Sequence, residues 1–113
     1  ISHVSFSEGS VHPLTRGAAG LALLAACPEQ PGEPQAVAAV RADGFARTFG
    51  EVEPNMHGLA VPLDAAATGG PACLNVISAG GPPGPEAVPL LQSAARATAE
   101  RLRPAVPPTR TLH

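Results

Sequence analysis

Proline and glycine partition this chain before any other pattern is read. There are 14 prolines and 12 glycines in 113 residues. A proline inside a helix removes a backbone donor and clashes with the preceding turn, at a cost of about 3 kcal/mol. Regular elements must therefore fit between the prolines or open on them. The stretches CPEQPGEP (27–34) and GGPPGP (80–85) are loops on this ground alone. So much Gly and Pro is also a mark of disordered chains. Here a hydrophobic content of 44% and periodic apolar segments argue for a folded domain.

Between the breaks the elements are short. Residues 1–7 (ISHVSFS) alternate, with Val4 and Phe6 on one face and His3, Ser5 and Ser7 on the other, which predicts a strand. Thr15 is a suitable cap for a helix over 16–27, with Leu21, Leu24 and Ala25 at helical spacing. Pro34 and Gly44 bracket a second helix over 35–43 that turns Val37 and Val40 inward. Strands are expected at 45–49, 58–63 and 71–79, the last two joined by a turn over 64–70. Pro85 opens the longest helix, 86–103, with Val88, Leu91, Ala95, Thr98 and Leu102 near one stripe. Pro89 falls in its first turn, where a missing N–H costs least, and Arg101 and Arg103 suit the negative end of its dipole. The order predicts one α+β domain over residues 1–103, with 104–113 a C-terminal tail.

Charge and composition exclude several function classes. The net charge is −2 and the basic residues are all arginine, so no basic face is available to neutralise nucleic-acid phosphates. Contact with DNA would need a separate module. Aromatic residues are 3% of the chain, with no Trp or Tyr, too few for base-stacking platforms. No apolar run reaches 18 residues and no basic-then-apolar leader opens the chain, so the expected setting is the cytoplasm and not a membrane. Cys27 and Cys73 are expected to be reduced, buried thiols.

The residues that could carry catalysis are scattered. There is no GxSxG, no phosphate-binding glycine loop and no metal-ligand spacing among His3, His12, His57 and His113. Glu51 and Glu53, two apart, would share the face of a strand and read as solvated carboxylates. Ser78 with His57 is the one hydrolase pair to weigh, and no third group orients that base. An enzyme is not expected, nor a cofactor or metal.

One local feature asks for an explanation. The stretch HPLTRGAAGLALLAA (12–26) places Gly17 and Gly20 at the start of an apolar helix. Each glycine costs roughly 1 kcal/mol against alanine in a helix interior. Small residues there let something approach the backbone.

Three segments, taken together, resemble the effector-binding domains of IclR-type bacterial transcriptional regulators. PLTRGAAGLALLA (13–25) is similar to that family's PLHATALGKALLA. DGFARTFGEVEPNMHGLAVPL (43–63) with NVISAGGP (75–82) is similar to its RGYA…GE…PGV.GIAAPV signature and following strand. AARATAERL (94–102) is similar to the family's closing helix. Order and spacing agree over about residues 1–103. The resemblance implies a GAF-like antiparallel sheet with helices packed on one side and a long C-terminal helix, N-terminally incomplete relative to the family. It also implies a homo-oligomer that binds a small organic effector, with DNA read by a helix-turn-helix domain outside this chain. Carried over by position, the effector site would comprise Ala18, Ala19, Thr48, Met56, Gly58, Ser78 and Gly80. The N–H groups of a helix N-terminus make a carboxylate the natural effector.

The departures fall on polar anchors. Leu21 replaces the family's lysine, Thr48 an acidic or polar group, and Gly80 a second serine, while Asn55 stands at a glycine position. A GAF-like structural or dimerisation module with a vestigial pocket is therefore the alternative reading.

Overall fold

The computed structural model describes residues 13–103. In chain order the elements are α1 (Ala18–Ala25), α2 (Gln35–Asp43), β1 (Ala46–Phe49), β2 (Met56–Pro62), α3 (Ala65–Thr68), β3 (Cys73–Ala79) and α4 (Ala87–Leu102). The strand expected over 1–7 and the tail over 104–113 lie outside the described residues.

Both ends of α2 follow from local chemistry. Pro34 precedes its first residue, and Gly44 closes it with φ 82° in the left-handed conformation, its N–H reaching the Val40 carbonyl at 2.8 Å. Helix α1 starts two residues later than expected. Its N-cap is Gly17 and not Thr15, and no side chain of that residue caps it. The turn over 64–70 contains α3, capped by Asp64 Oδ1, which accepts from the Ala66 N–H at 3.0 Å.

The strands form an antiparallel sheet in the order β1-β2-β3. β1 is set against β2 with Ala46 opposite Ala60 and Phe49 opposite His57. β2 is set against β3 with Met56 opposite Ala79 and Pro62 opposite Cys73. Strand β2 begins two residues earlier than expected. Asn55 takes φ 63° there and turns the chain into the ladder at Met56, a conformation that asparagine tolerates better than most side chains.

Alternation along β2 separates two cores. Ala60, with Ala46, faces α1 and α2 and packs with Ala18, Leu21, Ala22, Val37 and Val40. Val61, with Leu63 beyond the strand, faces α4 and packs with Ala95, Leu91 and Phe45. Packing on one side thus holds for α1 and α2, while α4 takes the opposite face. Along α4 the buried positions are Ala95 and Ala99, and Leu102 is turned outward at 38% exposure, against its expected inward place. Cys27 and Cys73 are free thiols, half-buried and not fully buried as expected. The Cys73 Sγ lies 3.8 Å from the Ala19 carbonyl, and burial pushes its pKa up.

Candidate functional site

The start of α1, the β1–β2 connection and the α1-facing side of the sheet border an open cavity of about 380 Å³. This is within the range of small-molecule sites. Its mainly apolar wall includes Leu23, Val52, Met56 and Ile77. Thr48 and Asn75 bring neutral polar groups to it.

The glycines of the opening stretch belong to this wall. Gly17 has φ 87°, and a Cβ there would stand 2.7 Å from Val52 Cγ2. A Cβ on Gly20 would stand 2.2 Å from the Leu14 carbonyl oxygen, so the backbone of 14 passes directly over the helix. In the sheet below, a Cβ on Gly58 would stand 2.8 Å from Thr48 Oγ1 and 3.2 Å from the Ala18 Cβ. Glycine lets helix, loop and strand converge at these positions.

Glu51 joins the connection to the helix. Its Oε1 accepts the Gly17 N–H at 3.0 Å, and its backbone carbonyl accepts from the Arg16 guanidinium. The solvated, strand-borne carboxylate expected from the sequence is instead a half-buried cap in an irregular loop. A negative group at a helix N-terminus is stabilised by the helix dipole. Glu53, two residues on, is exposed at the cavity rim.

Of the positions singled out in the sequence, Ala18, Ala19, Thr48, Met56 and Gly58 come together on this wall. Ser78 and Gly80 are not among the lining residues. The Ser78 hydroxyl donates to the Gly81 carbonyl at 2.6 Å, and Gly80 turns the chain out of β3 with φ 90°. Commitment of that proton also removes Ser78 from partnership with His57, although the two are paired across the strands. The His57 ring packs on Phe49, with centroids 4.5 Å apart. Lining residues not expected in the site include Gly17, Leu23, Glu51, Val52, Asn75 and Ile77. Spacing along one strand could have indicated Asn75 and Ile77. The GE of the quoted signature falls on Gly50-Glu51, but its contact with Gly17 spans 34 residues and does not follow from local spacing. Among the described residues no group of three or more His, Cys, Asp or Glu is placed to hold a metal ion. No helix among them is long and apolar enough to cross a membrane.

No protein-family profile and no curated protein sequence matches the chain. Solved structures do. A candidate IclR transcriptional regulator of Silicibacter sp. is 24% identical with a TM-score of 0.64, covering 96% of this chain and 53% of its own. An IclR-family candidate regulator of Rhodococcus sp. is 27% identical with a TM-score of 0.59, covering 90% and 47%. The inducer-binding domain of the transcription factor PobR from Acinetobacter, a double mutant in complex with 3-hydroxybenzoic acid, is 22% identical with a TM-score of 0.62, covering 94% and 75%. The chain spans about half the length of the first two. Its α+β architecture, closed by the long helix α4, is the fold shared by IclR-type transcriptional regulators and the PobR inducer-binding domain.

Proposed function

We propose that this chain is the effector-binding domain of an IclR-type transcriptional regulator, working in the cytoplasm as a homo-oligomer, with DNA contacted by a separate module. The domain comprises residues 1–103, and its site comprises Ala18, Ala19, Thr48, Met56 and Gly58 with Glu51 and Ile77. The observation that carries this reading is the cavity itself. A void of about 380 Å³ sits where glycine and alanine hold a helix start open above a sheet. The relation to an inducer-binding domain supports it. Such a site would act by binding: an effector that contacts α1, the β1–β2 connection and β3 together would change how those three elements sit. Ser78 and Gly80 belong to the same proposal only if β3's outgoing turn moves toward the ligand.

A thermal-shift screen of small organic acids, amides and alcohols tests the proposal. A ligand that binds only the folded chain raises its melting temperature, and Met56→Trp, which fills the wall, should abolish the rise. The scaffold reading is favoured by one observation, the commitment of the Ser78 hydroxyl to the Gly81 carbonyl. A screen without a single stabilising compound would select it.

A further inference from the structure

Arg16 brings a positive charge to the α1 cavity, at the point where the chain enters the helix. The side chain is exposed, and its guanidinium donates to the neutral backbone carbonyl of Glu51. Among the described residues the ion pairs are those of Arg41 and Arg103, and no carboxylate stands within ion-pair distance of Arg16. A guanidinium carries five N–H donors in a planar fork that matches a carboxylate at two points. One carbonyl leaves most of that fork, and all of its charge, uncommitted. This placement is particular to the chain. The motif PLHATALGKALLA has alanine where Arg16 stands and lysine where Leu21 stands, and Leu21 is packed in the core at 7% exposure.

The two carboxylates of the wall do not take Arg16's place opposite a ligand. Glu51 accepts the Gly17 N–H at 3.0 Å, so the positive end of the helix dipole answers its charge. Glu53 is exposed at the rim, where water and salt screen it. The Glu51 contact also fills the helix-cap donor to which the sequence would send an incoming acid. A guanidinium meets a carboxylate at hydrogen-bond distance, in charge-assisted bonds about twice as strong as neutral ones. Around it Thr48 and Asn75 supply neutral polar groups, and Met56 and Ile77 supply apolar surface.

We propose that Arg16 is the acid-recognising residue of the cavity, its guanidinium taking the carboxylate of a small organic acid whose apolar body lies against Met56 and Ile77. The inference rests on the effector-binding reading, and it moves the seat of the carboxylate from the helix N–H groups to a side chain. Because the same guanidinium holds the Glu51 carbonyl, a bound acid is joined through Arg16 to the β1–β2 connection.

The test is calorimetric titration of the full chain with matched pairs, benzoate against benzamide and cyclohexanecarboxylate against cyclohexanecarboxamide. The acids should bind the unaltered chain about tenfold more tightly than their amides. Arg16→Gln should remove that preference by weakening the acids about tenfold and leaving the amides nearly unchanged, while Arg16→Lys should restore part of it. Raising the salt from about 50 mM to about 500 mM should weaken the acids alone. Amides that bind the unaltered chain as tightly as the acids would overturn the inference and leave the effector-binding reading standing. Equal losses for acid and amide in Arg16→Gln would reduce Arg16 to a support for the connection and overturn it too. If neither member of any pair binds, the inference falls, and the thermal-shift screen decides the effector-binding reading separately. The acid-to-amide ratio and its salt dependence in the unaltered chain decide the matter even if a variant does not fold, since Arg16 is the one arginine among the described lining residues.

Discussion

Gly17 combines three demands that no other residue type meets. Its φ of 87° lies in the left-handed region, its missing Cβ leaves room for Val52, and its N–H is the donor to Glu51. Gly17→Ala should destabilise the domain by about 1–3 kcal/mol, through backbone strain and displacement of Val52. Denaturant unfolding followed by circular dichroism would measure it, and a loss near zero would mean the helix start is not held as described. The sequence shows that glycines stand here at a cost, but it does not show what they make room for. Val52 and Glu51 are more than thirty positions away, and only folding brings them to the helix. That is why a residue reading of Glu51 as a solvated carboxylate is overturned while Ala18 and Gly58, carried over by position from the family resemblance, do meet on the wall.

Helix α2 acts on its neighbours through Arg41 in its last turn. That side chain donates to the Cys27 carbonyl at 3.0 Å and to the Leu24 carbonyl at 3.3 Å, the latter also accepting the Cys27 N–H, so it ties α2 to the chain where α1 ends. It also pairs with Glu33 in the connecting loop. The hydrogen bond from Arg41 holds the Glu33 carboxyl below its ordinary value of 4.5. A carboxyl whose folded pKa is depressed contributes stability above its unfolded value, and that contribution is lost as pH falls through the folded one. Melting temperatures between pH 6 and pH 3 should therefore fall more steeply for the unaltered chain than for Glu33→Gln, with the difference developing below pH 4.5. Parallel curves would show that the pair does not act on stability. On the other face of the sheet, Ala95 packs with Val61 of β2 and lets α4 approach the strand closely. Ala95→Leu should cost about 1–3 kcal/mol by overpacking, a loss readable in the same denaturant titration. The bounds of α2 were open to sequence reading because Pro34 and Gly44 act locally. The buried row of α4 was only partly so: Leu91 and Ala95 fit the expected stripe, but Ala99 is buried beyond them while Leu102, the last residue of the helix, is exposed. Periodicity gives a face, and the length of the partner surface decides how much of it is covered.

The whole molecule has a thin core. Among the described residues seven of its side chains, Ala18, Ala22, Ala46, Ala60, Ala67, Ala95 and Ala99, are alanine, and Leu59 and Val37 are the largest that are fully buried. Alanine-rich contacts bring elements close but remove little apolar surface from water, at roughly 25 cal/mol per Å². Beside this core lies a cavity of about 380 Å³ whose wall is shared by α1, the β1–β2 connection and β3. A ligand seated there would supply apolar contacts that the chain itself lacks, tying helix to sheet at the point where their approach depends on glycine. A compound present at 100 times its Kd adds about 2.7 kcal/mol to the folded state. For a domain of this size each kcal/mol moves the melting temperature by about 4–8 °C. A good effector should therefore raise Tm by roughly 10–20 °C, and the rise should grow with the logarithm of ligand concentration. The same ligand should act weakly on Gly17→Ala, because displacement of Val52 narrows the wall it must contact. A Tm rise of equal size in that variant would show that the compound stabilises the chain from somewhere other than the α1 cavity.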